Sequence, residues 1–162
     1  MKLWKRAVPA FSCAGMLLVQ TGCGFSASPA DGLTFAAPPG WSASPGIMGF
    51  MQFWRPPSGD REVLMLFRSP KPLRASDVFS TQQLHGTLQS VTVQHRGTIQ
   101  ICDRQPASYL QGRGHSSKGE ENVEMVMTTT RGTTYMALYV RPLEQAPNAA
   151  AEAAVRELCA KP

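Results

Sequence analysis

The clearest alternation of apolar and polar residues in the chain lies between positions 123 and 140, on both sides of Arg131 and Gly132. Apolar side chains at every second position are typical of a β-strand with one buried face. The stretch therefore predicts two strands joined by a tight turn. The second strand, from Thr134 to Val140, is apolar on both faces, so we expect it inside the sheet with helices or loops on both sides.

Two registers of this hairpin are compatible with the pattern. A two-residue loop at Arg131-Gly132 would pair Thr130 with Thr133. One face would then carry six apolar side chains, namely Val123, Met125, Met127, Met136, Leu138 and Val140. A three-residue loop with Gly132 in the left-handed conformation would bring a different set opposite the methionines, namely Tyr135, Ala137 and Tyr139.

Shorter apolar runs predict the remaining strands. They are residues 33–35, 47–54, 62–68, 91–95, 98–102 and 107–111. The second and third of these runs form a hairpin, and a turn at Arg96-Gly97 separates the fourth from the fifth. The segment from Gly112 to Glu121 is rich in glycine, serine and charged residues, and it predicts a mobile loop.

Capping residues predict two helices. Ser76 is a suitable N-cap for the first, which we expect to end near His85-Gly86. Asn148 is a suitable N-cap for the second, whose inward face is spaced by three and four residues. That face consists of Ala151, Val155, Leu158 and Cys159.

Residues 1–22 have the pattern of an export signal, with a basic start and an apolar run from Ala7 to Val19. The stretch from Leu18 to Cys23 resembles a bacterial lipoprotein signal, in which the cysteine is acylated and becomes the new N-terminus. Gln20 departs from that pattern, since an aliphatic or small residue is usual there. The alternative is a secretory signal cut between Thr21 and Ala30, which would release a soluble product.

The resulting organisation is a signal (1–22), a flexible tether rich in Ser, Ala, Pro and Gly (23–32) and one folded domain (33–162). The sequence has sixteen basic and eleven acidic residues, but three of the basic residues lie in the signal. The remaining thirteen leave the mature chain nearly neutral. Nucleic acid is therefore not an expected partner.

Export also predicts the state of the cysteines. In an oxidising compartment we expect Cys102 to pair with Cys159, once Cys13 is removed and Cys23 carries lipid. A bond that closes a loop of about 57 residues stabilises the fold by about 4 kcal/mol in the chain-entropy treatment. The alternative is a pair of free, buried thiols.

The order of these elements resembles the PsbP-like superfamily, which includes envelope lipoproteins of the DcrB type. The features that carry the likeness are Leu33-Thr34-Phe35 followed by Pro38-Pro39-Gly40-Trp41, the hairpin to Arg68, the strand Tyr135 to Tyr139 and an alanine-rich last helix. The resemblance implies an α+β fold, with an antiparallel sheet covered by helices on both faces as an α/β/α sandwich. It implies binding or assembly rather than a reaction, and it transfers no catalytic residue.

Candidate chemistry is sparse. Cys102 with His95 or His115 would suit a thiol-dependent enzyme, and a secreted thiol-dependent or hydrolytic enzyme is the alternative function. The three histidines, including His85, are too scattered to predict a metal site by spacing. Five methionines fall in predicted strands, and we interpret them as core residues rather than copper ligands: Met51, Met65, Met125, Met127 and Met136. No metal and no cofactor is predicted.

Two basic segments are candidate partner contacts for anionic headgroups or an acidic protein. Their residues are Arg68, Lys71, Arg74, Arg113, His115 and Lys118. The sequence thus predicts a non-catalytic binding or scaffolding lipoprotein of the cell envelope. We expect Cys23 to anchor it on the periplasmic or extracellular side of a membrane, where it would bind a protein partner.

Overall fold

The computed structural model describes residues 33–46, 50–80 and 88–160, so the predicted signal and tether, with Cys23, lie outside it. Its strands are β1 Leu33–Thr34, β2 Ser42–Pro45, β3 Phe50–Arg55, β4 Val63–Ser69, β5 Ser90–Ile101, β6 Gln105–Ser116, β7 Gly119–Thr130, β8 Thr133–Pro142 and β9 Cys159–Ala160. The described part contains one α-helix, α1 Ala149–Arg156, and a 3₁₀ helix at Val78–Ser80. β2 to β8 form an antiparallel sheet in the order β2-β3-β4-β8-β7-β6-β5, while β1 and β9 pair separately.

The hairpin of β7 and β8 has the two-residue loop, so the first of the two predicted registers is confirmed. Thr130 pairs with Thr133, and the apolar residues that follow on each strand face one another. Arg131 and Gly132 both have positive φ, 48° and 76°, which is the backbone of a type I′ turn. β8 lies between β4 and β7, and Thr134 to Val140 are buried on both faces.

The two faces of the sheet have different cores. One face packs against α1 and is rich in aromatic and small residues, among them Trp54, Tyr109, Tyr135, Tyr139, Ala151 and Val155. The other face is rich in methionine and includes Met65, Leu110, Val123, Met125, Met127, Met136 and Leu138. Each alternate position along β8 therefore supplies a different core, which explains why the strand is apolar throughout.

The predicted α/β/α sandwich, with helices on both faces, is wrong. The described part of the chain is mostly antiparallel sheet, and its one α-helix, α1, covers only the aromatic face. The segment after β4 packs on the methionine face through Leu73, Ala75 and Val78. Pro70 and Pro72 keep the part of this segment before Ser76 out of a helix, because proline lacks the N–H donor that a helix interior needs. The helix predicted from Ser76 corresponds to the short 3₁₀ helix, and its predicted end at His85-Gly86 lies outside the described residues.

Two further expectations fail in the β5–β6–β7 region. β5 runs without a break through the predicted turn at Arg96-Gly97, and the predicted loop from Gly112 to Glu121 is part of the hairpin of β6 and β7. A β-bulge between Val93 and His95 shifts the alternation of side chains along β5, so one strand has the pattern of two. Gly112 lies opposite this bulge, where a Cβ atom would be 2.5 Å from the Thr92 carbonyl oxygen.

The C-terminal part has the predicted cap and disulfide, but α1 ends at Arg156, so Leu158 and Cys159 of the predicted helical face lie beyond it and Cys159 is in β9. The side chain of Asn148 accepts hydrogen bonds from the backbone N–H groups of Ala150 and Ala151, so the predicted N-cap is confirmed. The predicted disulfide between Cys102 and Cys159 is present, with Cα atoms 5.3 Å apart. It joins the β5–β6 turn to β9, just after α1. No helix in the described ranges is long and apolar enough to cross a membrane.

Candidate functional site

The two ends of the seven-stranded sheet differ in structure. We call the end with the β3–β4 loop (56–62) and the β6–β7 turn (117–118) the open end. The opposite end carries the segment 70–74, the β5–β6 turn (102–104) and the β7–β8 turn (131–132), and we call it the closed end. Loops at the ends of a rigid sheet commonly carry binding residues, so both ends are candidate sites.

A cavity of about 330 Å³ lies at the open end, between the β3–β4 loop and the β6–β7 turn. We call it the end cleft. Its polar lining consists of Arg55, Asp60, Arg61, Ser116, Ser117, Lys118 and Glu121, and its apolar lining includes Val63 and Val140. The volume falls at the lower end of the range typical of small-molecule sites.

Arg61 holds the loops of the open end together. Its guanidinium donates a 2.8 Å hydrogen bond to the Lys118 carbonyl oxygen and forms a 2.8 Å ion pair with Glu144. These contacts join the β3–β4 loop to the β6–β7 turn and to the segment that leads to α1. Both charged side chains are substantially exposed, so the ion pair adds little stability. The contacts of Arg61 instead fix the position of the walls of the end cleft relative to one another.

A buried carboxylate fixes the other wall. Ser116 Oγ donates a 3.0 Å hydrogen bond to Glu121 Oε1, and both side chains are buried. The backbone N–H of Lys118 donates to Ser116 Oγ at 3.1 Å. The turn that presents Ser117 and Lys118 is therefore tied to its own strands.

The charged groups of the end cleft differ in whether they have partners. Asp60 accepts a hydrogen bond from Ser58, and Glu121 accepts one from Ser116. The Arg55 guanidinium and the Lys118 ammonium make no hydrogen bond or ion pair with any residue that the structure describes. The end cleft thus presents hydrogen-bond donors whose counterpart is not in the described chain.

Two acid-centred networks lie beneath the helix rather than in the end cleft. Glu124 Oε1 accepts 3.0 Å hydrogen bonds from the Tyr109 hydroxyl and from Arg156 Nε. Burial raises the pKa of Glu124 above its usual value, while the Arg156 charge opposes that shift. Arg156 also lies over the Tyr109 ring, with Cζ 5.6 Å from its centroid. This network joins α1 to β6 and β7.

The second network joins β8 to the start of α1. The Tyr139 hydroxyl donates to Glu62, and Gln145 Nε2 donates to the other oxygen of that carboxylate at 2.8 Å. The backbone N–H of Asn148 donates to the Tyr139 hydroxyl at 3.1 Å. Burial, followed by the hydrogen bond to Glu62, raises the pKa of Tyr139. Both acids accept two internal hydrogen bonds, which indicates a structural role.

A smaller cavity of about 170 Å³ lies beside the first network, with Gln94, Gln111, Asn122, Arg141 and Glu152 in its lining. Its buried acid, Glu124, already accepts hydrogen bonds from Tyr109 and Arg156. The end cleft is larger and has unpaired charged donors, so it is the stronger candidate for a binding site.

The structure separates the basic residues that the sequence singled out. Arg68, Lys71 and Arg74 lie at the closed end, where the Arg68 guanidinium is 6.0 Å from the Tyr135 ring centroid. Arg113, His115 and Lys118 lie toward the open end, and all three are exposed. Of these six, only Lys118 lines the end cleft.

The residues considered for catalysis do not meet. Cys102 is bonded to Cys159, so it offers no thiol to His95 or His115. His95 packs edge-on against Tyr109, with ring centroids 6.2 Å apart. Within the described ranges, no group of three or more His, Cys, Asp or Glu side chains could hold a metal ion.

Sequence reasoning missed Arg55, Arg61 and Glu121. Arg61 lies next to a loop that the sequence did predict, Pro56 to Asp60, and Glu121 ends a segment that was interpreted as mobile. The available signal was that two polar loops, each joining adjacent strands, could emerge at the same end of one sheet. The sequence does not give the strand order that brings them together.

No protein-family model matches this sequence, and no curated protein matches it. Comparison of structures shows that the chain has a PsbP-like fold, which confirms the predicted resemblance at the level of the fold. The chain is similar to the solution structure of cyanobacterial PsbP (CyanoP) from Synechocystis sp. PCC 6803, with a TM-score of 0.57 and 18% sequence identity. That match covers 76% of this chain and 85% of the cyanobacterial one.

A second similar structure is a crystal structure from Bacteroides thetaiotaomicron VPI-5482, with a TM-score of 0.51 and 14% identity. The match covers 83% of this chain but only 47% of the other, so this chain spans about half of that protein. Identities this low show the fold alone. The narrower likeness to envelope lipoproteins of the DcrB type stays a prediction.

Proposed function

We propose that this protein is a non-catalytic binding or scaffolding module that holds its ligand in the end cleft. The observation that carries the proposal is the pairing pattern of the cleft. Its acids accept internal hydrogen bonds, whereas Arg55 and Lys118 have no partner in the described chain. Charged donors that line a cavity are the usual means by which a site orients a ligand.

The way the cleft is built supports binding without large rearrangement. Its walls come from hairpins of one sheet, and Arg61 bridges them through Lys118 and Glu144. A site whose walls are already in place loses less conformational entropy when the ligand arrives. The same rigidity suits a scaffold, which must present a fixed surface to its partner.

We further propose that the module is tethered to a membrane of the cell envelope, on the periplasmic or extracellular side, through lipid on Cys23. The signal-like pattern of residues 1–22 supports this proposal, and so does the Cys102–Cys159 disulfide, since disulfides persist mainly outside the cytosol. The ten-residue tether, fully extended, would reach about 35 Å at most. The folded domain would therefore stay near the membrane surface, where a protein partner in the same envelope can meet it.

The binding proposal is tested by blocking the cleft. Ser117 is exposed on the cleft wall, and Ser117→Trp would fill the cavity without replacing a buried residue. The matched control is Thr98→Trp, at an exposed position on β5 away from the cleft. Native mass spectrometry of the full chain, purified from its own envelope, should show a bound component in the wild type and the control. Its retention by Ser117→Trp would contradict the proposal.

The same preparation tests the anchor. The proposal predicts an N-terminal peptide that begins at a diacylated Cys23. A peptide that begins between positions 21 and 30 without lipid would support a soluble secreted product instead, and would leave the cleft experiment unaffected.

A further inference from the structure

We propose that the end cleft binds a small soluble ligand through a carboxylate or phosphate group held between Arg55 and Lys118. This inference rests on the proposed function, because it assigns a ligand class to the same cleft. It follows from three properties of the cleft, which are its hydrogen-bond balance, its geometry and its size.

The lining has more unused hydrogen-bond donors than acceptors, which favours a ligand that accepts hydrogen bonds. The acidic lining residues already accept hydrogen bonds, Asp60 from Ser58 and Glu121 from Ser116. The unused groups of the lining are donors, namely the Arg55 guanidinium and the Lys118 ammonium. An anion supplies acceptors to both, and hydrogen bonds between ionised groups are about twice as strong as neutral ones.

The geometry places these donors on opposite walls. Arg55 is the last residue of β3, and Lys118 lies in the β6–β7 turn. Arg61 joins the two walls and adds a third positive charge to the lining. A guanidinium and an ammonium that line one cavity can contact different oxygens of one anionic ligand.

The size and the acids of the lining favour a small soluble molecule over a membrane surface. A cavity of about 330 Å³ admits a molecule of few carbon atoms, whereas a bilayer presents a continuous anionic plane. Asp60 and Glu121 would repel such a plane, because like charges at short range are unfavourable. Inside the cleft their repulsion is outweighed, because the positive charges of Arg55, Arg61 and Lys118 outnumber these two acids in the lining.

The test is calorimetric titration of the full chain in neutral micelles with citrate and with inorganic phosphate. Loss of one charged contact should weaken binding roughly tenfold or more, so Arg55→Gln and Lys118→Gln should each lose at least that much. The matched controls are Arg96→Gln and Lys71→Gln, which remove the same charges from exposed positions outside the cleft. Controls within about twofold of wild type support the site. If the controls lose as much affinity as the cleft variants, the loss results from the change in net charge, and the proposal is overturned.

A second arm separates soluble ligands from lipid headgroups. The full chain is inserted into vesicles of phosphatidylcholine alone or mixed with phosphatidylglycerol, and citrate binding is measured in both. Because the anionic surface repels citrate from every variant alike, the proposal predicts that Lys118→Gln weakens citrate binding by the same factor in both kinds of vesicle. If that factor disappears in the phosphatidylglycerol vesicles, a headgroup already occupies the cleft, which would overturn the soluble-ligand proposal.

The two proposals fail in different ways. If neither anion binds but Ser117→Trp still removes the bound component, the ligand class is wrong and the cleft remains the binding site. If Ser117→Trp removes nothing, the proposed function fails whatever the anions do.

Discussion

Certain polar groups at the two ends of the sheet differ in whether they have partners within the described chain. At the closed end, the Thr134 hydroxyl accepts a 2.9 Å hydrogen bond from the Leu73 N–H and donates a 3.0 Å bond to the Lys71 carbonyl. The Cys102–Cys159 disulfide adds a covalent link there. At the open end, Arg55 and Lys118 line a cavity and have no partner among the described residues.

This difference separates stability from binding. Groups whose hydrogen bonds are satisfied within the chain stabilise it, and they have little left to offer a ligand. Groups left unpaired beside a cavity add little stability and remain available for recognition. We therefore expect substitutions of the bonded groups at the closed end to lower stability, and substitutions of Arg55 or Lys118 at the open end to lower binding with little change in stability.

The largest expected effect is removal of the disulfide at the closed end. Replacement of both Cys102 and Cys159 by Ala should lower the free energy of unfolding by about 4 kcal/mol, because the unfolded chain regains the freedom of a long loop. The midpoint of thermal unfolding, followed by circular dichroism, should fall by roughly 10 °C. Reductant should have the same effect on the wild type and none on the variant. Equal midpoints for the two proteins under oxidising conditions would contradict the account.

A smaller effect is expected from Thr134→Val, which keeps the shape of a fully buried side chain and removes its hydroxyl. The Leu73 N–H and the Lys71 carbonyl would lose their partner, at a cost of about 2 kcal/mol. Urea unfolding measures this loss. The matched comparison is Arg55→Gln at the open end, which should change stability by less than about 0.5 kcal/mol. Equal losses from the two substitutions would remove the distinction between the ends.

The smallest effect concerns the helix network, which belongs to neither end. Because burial raises the pKa of Glu124, its contribution to stability is present below the unfolded-state value and declines as pH rises through the folded-state value. Arg156→Gln removes the charge that opposes this shift, so the decline should become steeper. Wild type and variant should differ little near pH 4 and by about 1 kcal/mol near pH 7, a small value because Arg156 is half exposed.

Urea unfolding at several pH values checks this prediction, with Arg96→Gln as a control that removes a charge outside the network. A difference that stays constant with pH would contradict the role assigned to Glu124.

Local pattern was enough to predict several parts of the fold. The hairpin of β7 and β8 follows from alternation of period two and from Gly132 at a position with positive φ. The Asn148 cap depends on one side chain and its own backbone neighbours. The disulfide was predicted from the expected oxidising compartment, in which only Cys102 and Cys159 were left to pair.

The failures came from features that are not local. The bulge between Val93 and His95 moves side chains from one face to the other, which the pattern presents as two strands. Covering of the methionine face by Leu73 and Val78 depends on where the chain returns after β4, and a periodic pattern cannot show it. The walls of the end cleft are joined by Arg61 and Glu144, which are 83 residues apart.

Amide hydrogen exchange shows which residues a bound ligand protects, and we expect them to lie only at the open end. The full chain would be compared alone and saturated with the component that native mass spectrometry finds bound to it. Exchange at residues 56–62 and 117–119 should become slower, with the closed end unchanged. Protection at residues 70–74 or 131–134 instead would contradict this expectation.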